Sequence, residues 1–128
     1  MNSTFFGSEE YDQAYFIELD ATDSVYIYGQ TLAPANTLIY NAAFAEPNSG
    51  QFVAKLSEDL SFLEFSTVFG SGSGAIDISP TAFLVDVCNR IYCSGWGGKT
   101  NNFANGGPGG HTANLTTTNG AFQETTDS

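Results

Sequence analysis

The chain consists of short apolar runs rather than amphipathic helices. No long stretch keeps apolar residues at the three- and four-residue spacing of a helix face. Runs rich in Tyr, Phe, Ile and Val recur instead between Gly, Asp, Asn and Ser, which is the pattern of strands and turns. The predicted strands are residues 14–20, 24–29, 51–56, 62–69, 81–87 and 90–95. The pattern therefore predicts an all-β protein.

The predicted strand at residues 62–69 shows the clearest alternation. One face carries Leu63, Phe65, Thr67 and Phe69, and the other carries Glu64 and Ser66. Such alternation is typical of an outer strand with one face in water. Between residues 30 and 50, proline, asparagine and glycine predict a long loop, with one short strand at residues 38–40.

An internal repeat relates two parts of this pattern. Residues 19–29 align without a gap with residues 85–95, at an offset of 66 residues. Identical residues stand at Asp20 and Asp86, Tyr26 and Tyr92, and Gly29 and Gly95. A second match, between residues 3–7 and 66–70, precedes the first in the same order. A period of this size with about four strands is what one blade of a β-propeller needs.

The repeat divides the chain into three predicted units. Residues 1–10 are expected to hold the last strand of a preceding blade, and residues 11–70 a complete four-stranded antiparallel blade. Residues 71–128 are expected to hold the first hairpin of the next blade and a Gly/Thr-rich loop. Closing a propeller takes at least about four blades. The prediction is therefore a β-propeller segment with one complete blade and partial flanking blades.

The wording of the repeat resembles a known family. The matching segments are residues 52–56 (FVAKL), 65–70 (FSTVFG), 82–86 (AFLVD) and 91–95 (IYCSG). They resemble the SBBP-type β-propeller repeat, in the variant of large Bacteroidota surface proteins associated with gliding motility and type IX secretion. The resemblance implies a secreted or cell-surface segment with no assigned catalytic residues. The chain has Asp23-Ser24 and Asn89-Arg90 where the family has Gly-Asn, so we expect Asp23 and Asn89 in the left-handed backbone region.

Charge excludes several partners. Three cations, Lys55, Arg90 and Lys99, stand against 14 acidic residues, and the formal net charge is −11. A phosphate backbone or an acidic membrane surface is therefore an unfavourable partner. The hydrophobic fraction of 41% is too high for a disordered acidic tail. Since no apolar stretch has the length of a membrane span, we expect no membrane insertion.

Asp20 and Asp86 are the main candidates for cation chemistry. Both stand just before a tight turn, and Asp23 and Asn89 add oxygen atoms to the same two turns. One interpretation is a Ca²⁺ or ligand site at one mouth of the propeller. The alternative is that each carboxylate accepts hydrogen bonds from the backbone N–H groups of its own turn. No other cofactor is expected.

Catalysis is not predicted. His111 lies in a glycine-rich stretch without a nucleophile motif. A hydrolase or lyase using Asp20 and Asp86 is the remaining enzymatic alternative. Trp96, together with Tyr28 and Tyr92, is a candidate for stacking on a sugar. The alternative for Trp96 is to close the gap between neighbouring blades.

The two cysteines predict little chemistry. A hairpin turn at Cys88-Asn89 would place Leu84 opposite Cys93, an offset that a disulfide could bridge only by distorting the hairpin. We expect two buried or half-buried thiols instead.

The expected function is structural and interaction-based. The chain is predicted to be a non-catalytic module of a secreted or cell-surface β-propeller protein, in adhesion, gliding or extracellular assembly. One alternative is a carbohydrate-binding module using loop aromatics. The other is a self-assembling subunit whose copies complete one another's blades into a ring or filament. The expected partners are other blades of the same protein, copies of the chain, and extracellular glycans.

Overall fold

A computed structural model describes residues 1–97 and 112–125. Its six strands are β1 (Asp12–Leu19), β2 (Val25–Thr31), β3 (Gln51–Leu56), β4 (Leu63–Phe69), β5 (Ile78–Val85) and β6 (Ile91–Gly97). A single 3-10 turn follows at Thr112–Asn114, and this part of the chain contains no α-helix. The all-β prediction is confirmed. Lys99 and His111 lie outside the described residues.

Two antiparallel sheets account for all six strands. β1, β2, β3 and β4 pair in sequence order as a four-stranded sheet, and β5 and β6 form a separate hairpin. We call β1–β2 the first hairpin and β5–β6 the second hairpin. β5 begins at Ile78, three residues before its predicted start, and includes Pro80 next to a bulge. Proline is tolerated there because a bulge does not need every backbone N–H.

The two hairpins correspond position by position at the offset of 66 residues. Each first strand has one bulge, between Ala14 and Phe16 in β1 and between Pro80 and Ala82 in β5. Gly29 and Gly95 stand beside these bulges. A Cβ atom on either glycine would clash with a backbone carbonyl oxygen of the neighbouring strand, that of Gln13 or Ser79. Both positions therefore need glycine for the close approach of two backbones.

The turns of the two hairpins also match. Oδ1 of Asp20 accepts the backbone N–H of Thr22 (2.9 Å) and that of Ser24 (3.1 Å). Oδ1 of Asp86 accepts those of Cys88 (2.8 Å) and Arg90 (2.9 Å). Asp23 and Asn89 have φ angles of 61° and 60°. The predicted left-handed residues are confirmed.

The register of the second hairpin differs from the predicted one. Leu84 lies opposite Tyr92, and Phe83 lies opposite Cys93. The predicted pairing of Leu84 with Cys93 is wrong by one residue, because residues 87–89 form a three-residue turn closed by a bond from the Asp86 N–H to the Arg90 carbonyl. Since Cys88 and Cys93 are free and exposed, the predicted burial of both thiols is also wrong.

The outer face predicted for β4 is wrong as well. Ser66 and Val68, on the supposedly polar face, are both buried. Tyr40 and Ser66 exchange two backbone hydrogen bonds of 2.9 Å, and the Glu46 N–H donates to the Val68 carbonyl. The loop thus runs along β4 and covers its edge. The short strand predicted at residues 38–40 is reduced to this single bridge at Tyr40.

The N-terminal segment also departs from the prediction. Residues 3–7, expected to form a strand, belong to no ladder of the described structure. A strand is defined by backbone pairing, and this segment instead makes side-chain contacts. The Phe6 ring lies 5.4 Å from the Phe52 ring, centroid to centroid.

Both faces of the four-stranded sheet carry an apolar cluster. On one face, Phe83 of the second hairpin packs with Tyr26, Tyr28 and Val53. On the other face, Phe6 packs against a cluster formed by Leu38, Phe52 and Val68. The sheet therefore separates two cores. The core that includes Phe83 joins the sheet to the second hairpin.

Candidate interaction surface

The contact between the sheet and the second hairpin is built on aromatic rings. Phe83 is only 7% exposed, and its ring centroid lies 5.5 Å from that of Tyr28. The Tyr28 ring also stacks against Phe16 and Phe69, and Val85 packs against the same cluster. Burial raises the pKa of the Tyr28 hydroxyl. Tyr28, a predicted sugar-stacking residue, lies in this core and presents no ring face to solvent.

Buried amides add polar contacts to the same junction. The side-chain Nε2 atoms of Gln30 and Gln51 donate to the Ile78 carbonyl, at 3.0 and 3.3 Å. Both glutamines are buried. Nearby, Asp77 accepts hydrogen bonds from the backbone N–H and the hydroxyl of Ser71, at 2.7 and 2.8 Å. The start of β5 is therefore fixed to the sheet by hydrogen bonds as well as by apolar packing.

One exposed face of the first hairpin repeats the docking side of this contact. Ile17 and Leu19 stand 66 positions before Phe83 and Val85, at matching places in the hairpin. Ile17 is 66% exposed and Leu19 is 54% exposed. We call this surface the head face, which consists of Ile17, Leu19, Val25 and Ile27.

An exposed face of the second hairpin repeats the receiving side. Tyr92 and Ser94 stand 66 positions after the buried Tyr26 and Tyr28. Tyr92 is 51% exposed, and Leu84, opposite it, is 54% exposed. We call this surface the tail face, which consists of Ala82, Leu84, Tyr92, Ser94 and Trp96. Two predicted sugar-stacking residues, Tyr92 and Trp96, therefore lie on a strand face and not in a loop.

Asp20, a candidate cation ligand, is an ion-pair partner. Its Oδ2 atom lies 3.1 Å from Nζ of Lys55, and the same Nζ lies 2.8 Å from Oε2 of Glu64. Burial by itself would raise the pKa of the Asp20 carboxyl. Hydrogen bonds from Thr22, Lys55 and Ser24 outweigh burial and lower that pKa to about 2. Lys55 also lies over the Tyr26 ring, 5.2 Å from its centroid.

The other candidate cation ligands serve their own turns. Asp86 holds the second turn through its Oδ1, and its Oδ2 lies 3.9 Å from the Arg90 guanidinium. Asp23 and Asn89 are the left-handed turn residues. Over residues 1–97 and 112–125, no three His, Cys, Asp or Glu side chains are gathered as metal ligands. The geometry of both turns is that of the backbone-capping alternative.

Sequence reasoning missed two features of the surface. Lys55, 35 positions from Asp20, was not recognised as its partner, and no local pattern indicates a pairing that only the sheet register creates. The head face also went unnoticed, although the repeat contained a signal. Extending the alignment by two residues would have placed Ile17 on Phe83.

Comparison of the chain with known protein families, with curated proteins and with solved structures found no match. The SBBP resemblance therefore stays a prediction based on the motifs. The described residues include no helix that is long and apolar enough to cross a membrane.

Proposed function

We propose that the chain is a non-catalytic repeat module of a β-propeller protein, in which the first hairpin of each repeat docks on the sheet of the repeat before it. The packing of Phe83 on Tyr28 supports the proposal, because this contact joins two consecutive repeats. The resemblance to SBBP-type repeats supports a secreted or cell-surface setting. Adhesion, gliding or extracellular assembly is the corresponding role.

The energetics of such a module come from the contact between neighbours. In repeat proteins, stability is close to a sum of the stability of each repeat and of each nearest-neighbour interface. Full burial of one large apolar side chain contributes about 1.5–3 kcal/mol. The head and tail faces leave such side chains exposed, at Ile17, Leu19, Leu84 and Tyr92. A neighbouring repeat on either face would therefore stabilise the module.

A tandem of two full chains tests this function. With a flexible Gly/Ser linker between the copies, we expect unfolding at a higher urea concentration than for the single chain, because one more interface forms. Circular dichroism follows the transition. The matched control carries Ile17→Asp in the second copy only and should unfold close to the single chain. A tandem that unfolds at the midpoint of the single chain would mean independent domains and would refute the module.

Glycan binding on the tail face is a second candidate function. Tyr92 and Trp96 lie two strand positions apart on one face, and the Trp96 ring is 48% exposed. Aromatic rings with one free face stack well on apolar sugar surfaces. On a glycan array, we expect binding by the wild-type chain, its loss in Trp96→Ala and its retention in Ile17→Asp. Equal binding by wild type and Trp96→Ala would rule out this site.

A further inference from the structure

The two exposed faces are the two halves of a contact that the molecule makes once within itself. In the internal contact, Phe83 and Val85 of the second hairpin pack on Tyr26 and Tyr28 of the sheet. Moving every position back by 66 residues turns the docking pair into Ile17 and Leu19. Both of these side chains are more than half exposed. The head face thus has the apolar character of the face that docks.

The receiving half is present at the other end of the repeat. Moving Tyr26 and Tyr28 forward by 66 residues gives Tyr92 and Ser94, and Glu18 becomes Leu84. The tail face therefore keeps one tyrosine and replaces a carboxylate by an apolar side chain. Because the bulges and the paired glycines match, the backbone shape around both faces is also the same.

We propose that copies of this chain associate head to tail, with the head face of one copy packed on the tail face of the next. Ile17 of one copy then lies over Tyr92 and Ser94 of its neighbour, as Phe83 lies over Tyr26 and Tyr28 within the chain. This inference rests on the proposed repeat function, since it transfers the contact between repeats to a contact between chains. A second copy is the occupant because it carries a face that matches the internal docking side.

The symmetry of such a contact is defined by the faces. The head and tail faces are different surfaces, so each copy keeps one free face after pairing. Heterologous contacts of this kind close into a ring or extend as a filament. The net charge of −11 repels neighbouring copies, and salt screens that repulsion. We therefore expect association to increase with both protein concentration and ionic strength.

Two single-face variants test the inference by sedimentation velocity. Ile17→Asp disables the head face and leaves the tail face intact, and Tyr92→Asp does the reverse. The wild-type chain should form a series of oligomers or one ring, and each variant alone should stay monomeric. An equimolar mixture of the two variants should give a one-to-one dimer and nothing larger, because it contains one working head face and one working tail face.

A matched control separates the faces from exposed apolar residues in general. Val87 is 91% exposed at the tip of the second turn, outside both faces, so Val87→Asp should assemble as the wild type does. Circular dichroism checks that every variant keeps its β signal, and Ile17→Ser and Tyr92→Ser replace any Asp variant that does not fold. The milder pair should show the same pattern of monomers and mixed dimer.

The results that overturn the inference are distinct from those that refute the module. A wild-type chain that stays monomeric at all concentrations and salt levels would overturn head-to-tail association. The same holds if the mixed variants form no dimer, or if both single variants assemble as the wild type does. If the covalent tandem is nonetheless more stable than the single chain, the repeat function stands and only association between separate copies fails. Loss of both effects would refute both proposals.

Discussion

Replacement of Phe83 by alanine is expected to lower the free energy of unfolding by about 3–5 kcal/mol, the usual cost of deleting a buried phenylalanine ring. The ring packs with Tyr26, Tyr28 and Val53, and it is the buried apolar side chain that the second hairpin contributes to this core. Without it, the hairpin keeps the bonds from Gln30 and Gln51 to Ile78 but loses its main apolar contact. The hairpin should therefore detach before the four-stranded sheet unfolds.

Two optical probes can follow the two sheets separately. The single tryptophan, Trp96, lies in β6 and reports on the second hairpin, and far-ultraviolet circular dichroism reports on both sheets. In Phe83→Ala, the fluorescence transition should occur at lower urea than the circular dichroism transition. Leu84→Ala, at the next position on the exposed face, is the control and should cost no more than about 1 kcal/mol. Equal losses in the two variants would mean that Phe83 does not hold the hairpin to the sheet.

Local chemistry was enough to predict the strands and the turn residues. Alternation and β-branched or aromatic runs predicted all six strands, and the bounds of β3 agree to the residue. Asp23 and Asn89 were predicted in the left-handed region because they replace glycine, and few other residues adopt that backbone at low cost. These properties depend on neighbours within a few positions of the chain.

The errors arose where distant contacts decide the outcome. A two-residue and a three-residue turn fit the same apolar pattern around Cys88, and the bonds from Asp86 select the longer one. The burial of Ser66 depends on a loop more than twenty positions earlier, which pairs with it through Tyr40. Both decisions depend on tertiary structure, so the alternation of the strands carries no record of them.

Identical repeat positions show the same limit for the candidate site. Tyr26 and Tyr92 are aligned, yet Tyr26 is buried and Tyr92 is half exposed. The difference is that the second hairpin lies over Tyr26. The residue type therefore predicted a surface for contact, and the structure was needed to tell which copy of that surface is already occupied.

Replacement of Lys55 by methionine is expected to destabilise the protein by about 3–5 kcal/mol near neutral pH, as for other buried ion pairs that lose one partner. Nζ of Lys55 lies within 3.1 Å of both Asp20 and Glu64, and the Asp20 side chain is fully buried. The variant leaves two acidic groups side by side without their cation. Urea unfolding of wild type and variant, followed by circular dichroism at several pH values, measures the loss.

The pH dependence of this loss follows from the pKa of Asp20. In the wild type, folding lowers that pKa from 3.8 to about 2, so the ionised carboxylate stabilises the fold above pH 3.8 and this contribution is lost as the pH falls towards about 2. In Lys55→Met, the pKa of Asp20 should rise, because the cation that favours its charged form is gone. The variant then binds a proton at a higher pH than the wild type. The stability difference should consequently be largest near neutral pH and shrink below about pH 4.

The matched control for Lys55 is the corresponding pair in the second hairpin. Arg90 lies 3.9 Å from Asp86, but its side chain is 71% exposed, so Arg90→Met should cost less than about 1 kcal/mol. Lys55→Arg, which keeps the charge, should retain more stability than Lys55→Met. If Lys55→Met costs no more than Arg90→Met, or costs the same at every pH, then the Asp20–Lys55 pair does not stabilise the fold. The carboxylate of Asp20 would in that case act only as the cap of its own turn.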